Sequence, residues 1–357
     1  MNSLQLHRDL TQHFTRLGLK ASKPQRVNLA LLCQALAVSP NCHLATLAVG
    51  LPLPGHRENL VQRLRRFMKS DLGVADCYEP WVRQLFAHWS GREVSLVMDR
   101  TDIENRWSIL TLGATYRHRL LPLAWEVLPF GGTSAEHHIA LVKHVQSHLP
   151  ALSQVRVTFF GDCEFRAVPL QQACQALGWH WQVGLKSDLY FRPADGDWQC
   201  LRALNLQPGE RRFVNTVYLT QDHDFGPVNL IADWSPHQET PRYWALDQPA
   251  DRAAWRRGRK RYWIEPTHRD WKSYGFDLER SQLDDAERLS VLMLAVNITT
   301  LWMIHLGDGV IRSGHTAELA PRHKTDYGVF RLGRDYVRRC ITLNHRVPVG
   351  FTVQHPV

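Results

Sequence analysis

The sequence predicts an α/β chain whose mixed sheet and helices follow an all-α N-terminal segment and are interrupted by a β-rich insertion. Three observations predict it. Residues 1–90 carry helical periodicity, residues from 94 switch to apolar runs of strand length, and residues 187–250 lose helical period among Pro-, Gly- and Asp-rich joints. At 357 residues and 44% hydrophobic content, the chain can build two or three domains around a large core.

Taken in order, "VNLALLCQALA" reads as one helix. "CHLATLAVGL", the breaker "PLPG" and "HRENLVQRLRRFMKS" read as two helices around a tight turn. In the last of these Leu60, Leu64 and Phe67 form an apolar stripe, with Arg57, Gln62, Arg63, Arg65, Arg66 and Lys69 mostly off it. A basic helix after a short turn suits insertion into a DNA major groove; a solvated basic face is the plainer alternative. "VSLVMD" is a buried strand ending in acid at Asp99, and "WSILTLGATY" and "RLLPLAWEVLP" are longer strands separated by "RHR". "SAEHHIALVKHVQSHL" is an amphipathic helix capped by Ser134. A second strand ending in acid, "VRVTFFGD" at Asp162, precedes the helix "AVPLQQACQALG" and the strand "WHWQVGLK". This β-β-β-α-β-α-β order, followed by a helix, is that of the ribonuclease-H-like fold, in which the first and fourth strands are neighbours.

"RRFVNTVYLT", "GPVNLIADW" and "RYWALD" are the short strands of the insertion. Helical period returns after Asp251 and runs on through a helix over 285–306, and "YGVFRLGRDYVRRCI" reads as one more. The predicted organisation is a helical DNA-binding domain over 1–90, a catalytic core over 91–186 and 251–310, the insertion over 187–250, and a helical tail over 311–357.

Net charge is +9 and is unevenly spread. Residues 1–90 hold 11 Lys and Arg against 5 Asp and Glu, residues 251–272 hold 8 against 3, and the remainder is close to neutral. Two basic islands on a neutral body suit double-stranded DNA gripped at two places. Seven cysteines without a C-x-x-C pair argue against a disulfide framework or a zinc knuckle and fit a reducing cytoplasm. No basic-then-apolar leader opens the chain. The run "LSVLMLAVNITTLWMIHLG" is long enough to cross a bilayer, but Asn297, Thr299, Thr300 and His305 within it favour a buried helix and no membrane partner. No phosphate-binding glycine motif implies a nucleotide cofactor.

The chemistry concentrates in three acids. Adjacent strands would bring Asp99 and Asp162 to one sheet edge, and Glu265, in "RYWIEPTHRDWK", would join them from a neighbouring helix. Three carboxylates on rigid elements are hard-oxygen ligands for Mg²⁺, or Mn²⁺ in its place, and a pair of such ions suits phosphodiester cleavage. On a continuous helix Arg261, Glu265 and Lys272 share one face with His268 between them, while Tyr262 lies off it. Arg269, Trp263 and Trp271 add charge and aromatic surface. Elsewhere, His137, His144 and His148 read as a solvated helix face, and Glu164 beside Asp162 raises the thought of a paired-carboxylate glycosidase.

These residues resemble the insertion-sequence DDE transposases that carry a Tyr-x2-Arg-x3-Glu-x6-Lys signature and a β-strand insertion before the glutamate. Arg261, Glu265 and Lys272 match three of the four signature positions; "DRTD" and "GDCEFR" match the two aspartate motifs, and the likeness covers nearly the whole chain. Two departures stand out. The signature tyrosine position is Gly258, and Pro266 follows Glu265, so the helix either restarts there, taking Arg261 off the shared face, or kinks. On this reading Lys272 is the firmer of the two basic assignments. The resemblance implies cut-and-paste transposition by a homodimer that holds two element ends. Asp99, Asp162 and Glu265 would bind two Mg²⁺, and Arg261, Arg269 and Lys272 would hold DNA. It further implies hydrolysis at the element end, joining of the 3′-OH to target DNA and, in some relatives, a hairpin step with a flipped base. Trp234 or Trp244 would stack on that base, or both are simply packed. A nuclease or resolvase without strand transfer, and a non-catalytic DNA-binding descendant, are the alternatives.

Overall fold

The computed structural model describes residues 3–321 and 327–353. Residues 1–2, 322–326 and 354–357, which belong to the expected helical head and tail, lie outside them.

The apolar runs of the central region pair into a mixed sheet. β1 (Glu93–Ile103), β2 (Trp107–Tyr116) and β3 (Arg119–Pro129) form an antiparallel meander. β4 (Arg156–Gly161) lies parallel to β1, and β5 (His180–Leu185) parallel to β4. α6 (Ala135–Gln146) and α7 (Val168–Ala176) make the crossovers, and Ser134 caps the first by accepting from the His137 amide at 3.5 Å. The "RHR" connection narrows to a two-residue turn, Arg117-His118, with both residues at positive φ, as a tight hairpin of this twist requires. β1 also differs from expectation. It does not end at Asp99, because its antiparallel pairing with β2 carries it on to Ile103.

The segment 187–250 continues the same sheet. β6 (Tyr190–Pro193), β7 (Gln199–Cys200), β8 (Arg211–Leu219), β9 (Phe225–Asp233) and β10 (Arg242–Leu246) add on through an antiparallel β10–β5 pairing. The resulting order is β3-β2-β1-β4-β5-β10-β9-β8-β6-β7.

The helical head comprises α1 (Ser3–Arg16), α2 (Lys23–Val38), α3 (Leu44–Val49), α4 (Arg57–Met68) and α5 (Val74–Ala87). Ser22 starts α2 with a reciprocal cap to Gln25. The expected basic helix is α4, which buries Leu64, Phe67 and Met68 and leaves Arg57, Arg65, Arg66 and Lys69 exposed and Arg63 partly so.

After β10 the predicted single helix breaks into pieces: α8 (Arg252–Gly258), a 3₁₀ stretch over Arg259–Trp263, α9 (Ile264–Arg269) and a π turn over Asp270–Tyr274. Pro266 is the reason at the middle join. Without an amide hydrogen it is tolerated only in a first helical turn, so the helix restarts around it.

α10 (Ala286–Arg312) begins where Asp285 accepts from the Arg288 amide at 2.9 Å. It is long and apolar enough to cross a membrane, yet 89% of its apolar stretch is buried within the chain. Thr299 and Thr300 turn their hydroxyls onto their own helix, and Thr300 also accepts from the Trp271 indole at 3.1 Å. α11 (Thr316–Leu319) is a single turn, and α12 (Val329–Thr342) crosses α10 closely. One apolar core runs from α1 through the sheet to α12, so head, sheet and tail share packing.

The α10–α12 crossing needs two glycines. A Cβ on Gly307 would overlap the Val329 carbonyl oxygen, and one on Gly333 the Met303 carbonyl oxygen, both backbone atoms that cannot swing aside. Gly309, on the same helix, has nothing within 4 Å. Gly333→Ala should therefore lower unfolding free energy by about 3 kcal/mol. Gly309→Ala should raise it by about 0.5–1 kcal/mol through helix propensity, both read from urea unfolding.

Candidate active site

Asp99 and Asp162 are brought together by strand register. The β1–β4 pairing runs from Glu93↔Arg156 to Val97↔Phe160, so each acid stands two residues past the last pair. Asp162 caps a short 3₁₀ turn over Cys163–Phe165. The two carboxylates are held alike. Asp99 Oδ1 accepts from the Arg100 amide at 2.8 Å, and Asp162 Oδ1 from the Glu164 amide at 2.8 Å. Gly184 on β5 makes room beside them, since a Cβ there would press on the Asp162–Cys163 backbone at 2.9–3.3 Å.

Glu265 arrives on α9, which is fastened from several sides. Ile264 packs with Val97, Leu120 and Phe160 in a small cluster separate from the main core. Each acid is thus one or two residues from a member of one apolar plug. The Leu120 amide donates to Thr267 Oγ1 at 2.8 Å, Arg119 Nε pairs with Asp270 at 2.6 Å, and Trp263 packs on His118 with ring centroids 4.4 Å apart. Arg117 in the same turn reaches the fully buried Asp308 of α10 at 2.5 Å.

Asp99 senses the charge of both other acids. Burial pushes the Asp99 carboxyl up to about 6; Arg261 and the Arg100 amide oppose this, while Asp162 and Glu265 add to it. Arg261 Nη1 lies 3.8 Å from Asp99 Oδ2 and 3.5 Å from Glu265 Oε1. Arg261 therefore does not leave the shared face when the helix restarts. Tyr262 is the second correction. A 3₁₀ stretch has three residues per turn, so Tyr262 faces the same groove as Glu265, with its hydroxyl against Arg242. Lys272 pairs with Glu279 at 3.4 Å from the π turn and, like Arg261, lies near His268. His268 is buried, and burial with Lys272 and Arg261 nearby takes its pKa down to about 3, so it stays neutral.

Asp162 and Glu265 open onto a groove of about 870 Å³ whose lining also includes Arg261, Tyr262, Trp234 and Trp244. Trp234 is half-buried and donates through its indole to the Gln238 carbonyl at 2.9 Å; Trp244 is also half-buried. Lys186, Arg202 and Arg242 line the groove as well and were missed in the sequence. Lys186 alone carried a signal there, as a base ending a strand parallel to the one before Asp162. Arg269 is exposed and is not among the groove residues. On α4, Arg57 Nε donates to the Ala45 carbonyl, Arg63 Nε to Asn28 and Arg66 Nε to the Gln62 carbonyl. Arg65 and Lys69 are exposed. At Gly258 a side chain would overlap the Gln182 amide, so a tyrosine there would have to displace it.

Among the described residues no three His, Cys, Asp or Glu side chains stand close enough to hold a metal ion as placed. The donor set nevertheless fits a hard cation. Asp99 and Asp162 each commit one oxygen to a backbone amide and leave the other, and Arg261 provides positive charge between Asp99 and Glu265.

No family model and no curated protein matches the chain. Among solved structures it is similar to piggyBac transposase in a synaptic complex with hairpin DNA. The identity is 10%, the alignment covers 97% of this chain and 84% of that one, and the TM-score is 0.49.

The raised Asp99 pKa carries a stability consequence. The folded state holds this proton more tightly than the unfolded state, so stability falls as pH rises from about 4 to about 6 and the full penalty persists above. Asp99→Asn should stabilise the metal-free protein by about 1–3 kcal/mol at pH 7.5 and by almost nothing at pH 3.5, in denaturant unfolding at the two pH values.

Proposed function

We propose that the chain is a metal-dependent DNA transposase with a ribonuclease-H-like core, acting as a homodimer on double-stranded DNA in the bacterial cytoplasm. The observation that carries this reading is the strand register that sets Asp99 and Asp162 side by side past the β1–β4 ladder, with Arg261 between Asp99 and Glu265 at a basic, aromatic-lined groove. Strand order β3-β2-β1-β4-β5, with β1, β4 and β5 parallel, supports the core assignment.

On this reading Asp99, Asp162 and Glu265 hold two Mg²⁺, with Mn²⁺ as substitute. When bound, the metal ions supply an activated attacking oxygen and charge neutralisation at the scissile phosphate. The chain's own groups do the rest. Arg261 leaves its ion pairs with Asp99 and Glu265 for a phosphate, whose two oxygens suit a guanidinium. Lys186, Arg202 and Arg242 hold the backbone along the groove wall, and Trp234 or Trp244 gives an extruded base an aromatic face. Arg57, Arg63, Arg65, Arg66 and Lys69 grip a second stretch of duplex from α4. Arg269 and Lys272 take more distant backbone contacts, Lys272 by leaving Glu279.

The test incubates the protein with Mg²⁺ and the DNA flanking its own gene, and maps nicks and joined products. Cuts at inverted repeats followed by joining to a second duplex are expected, with Glu265→Gln lowering both on the order of 10³-fold or more. Cutting without joining would support a nuclease, and DNA binding without cutting a non-catalytic descendant; either outcome overturns the transposase reading.

A further inference from the structure

Glu164 stands two residues past Asp162, and the proposed reaction leaves it without a task. Both of its oxygens face a side-chain partner on a neighbouring segment. Oε1 accepts from Thr133 Oγ1 at 2.7 Å, and Oε2 lies 3.5 Å from Arg100 Nε. With its proton given to Glu164, Thr133 Oγ1 accepts from His138 Nε2 at 2.6 Å. His138 is buried against Phe165 and neutral, its pKa taken down to about 4 by burial. Arg100 in turn lies 3.7 Å from Asp102, which accepts from Ser108 Oγ at 2.7 Å.

This network joins the two halves of the carboxylate pair. Arg100 follows Asp99 and gives it the amide that fixes Oδ1; Glu164 gives the equivalent amide to Asp162. The β1–β4 ladder ends at Val97 and Phe160, below both acids. Beyond that point the Arg100–Glu164 contact spans the same two chain segments from side chain to side chain.

We propose that Glu164 is a positioning residue that fixes the separation of Asp99 and Asp162 through Arg100, rather than a metal ligand or half of a glycosidase pair. The proposal rests on the metal-centre reading above. Partners of this kind that orient metal-binding carboxylates typically govern affinity by 10–100-fold.

The test is Mn²⁺ affinity of the full chain, read from the paramagnetic resonance of free Mn²⁺, as a double-mutant cycle. Glu164→Gln keeps the side-chain shape and the Thr133 contact but removes the charge; Arg100→Gln removes its partner. Each single variant should weaken Mn²⁺ binding by about 10–100-fold, and the double variant should be no weaker than the worse single within about threefold. Thr133→Val, outside the ion pair, should weaken binding in the same direction and by less. Additive losses in the double variant would make Glu164 a ligand in its own right, and unchanged affinity in Glu164→Gln would make it incidental; both overturn the proposal. Asp162→Asn separates this from failure of the underlying reading. If wild type binds no Mn²⁺ that Asp162→Asn abolishes, the metal centre falls and the positioning role with it.

Discussion

The parallel pairing of β1 with β4 is the constraint on which the site depends. Because the two strands run the same way in register, the residues two past their last pair, Asp99 and Asp162, emerge at the same edge. An antiparallel pairing over the same five-residue ladder would put them eight residues apart along the strands, about 26 Å. Parallel strands need a crossover, which α6 supplies, and the crossover in turn needs both faces of the sheet covered. The head helices and α10 are part of that cover, which is why one core extends across what the sequence divides into segments.

A site built from three acids at one sheet edge must manage their repulsion. The structure does so with a plug and a cation. Val97, Phe160, Leu120 and Ile264 fasten the three acid-bearing segments to one another by apolar contact, which needs no charge complementarity. Arg261 lies between two of the carboxylates and offsets part of their repulsion, though not enough to bring Asp99 back to an ordinary pKa. A divalent cation would complete that neutralisation and free the guanidinium for an anionic substrate, so one residue links binding of metal to binding of phosphate.

Much of the arrangement was legible in the sequence because it is written in local pattern. Apolar runs ending in Asp99 and Asp162 located the edge, and the polar residues inside the 289–307 run kept it from being read as a membrane span. Ser134 marked its helix start. What stayed hidden depends on non-local pairing or on departures from regular helix. The extent of β1 beyond Asp99 follows from its partner β2, and the joining of 187–250 to the sheet follows from β10 meeting β5. The 3₁₀ and π segments on either side of α9 change the residue count per turn. That reversed the placement of Tyr262, which a uniform 3.6-residue period had set.

The proposed metal centre joins Asp99, Asp162 and Glu265, with Arg261 offsetting part of their charge. Anomalous diffraction from crystals of the protein equilibrated with Mn²⁺ tests it most directly. Anomalous density is expected at the carboxylates of Asp99 and Asp162, with Glu265 drawn in and Arg261 displaced from between Asp99 and Glu265. Crystals that show Mn²⁺ elsewhere, or none, with Arg261 still bridging Asp99 and Glu265, would contradict it.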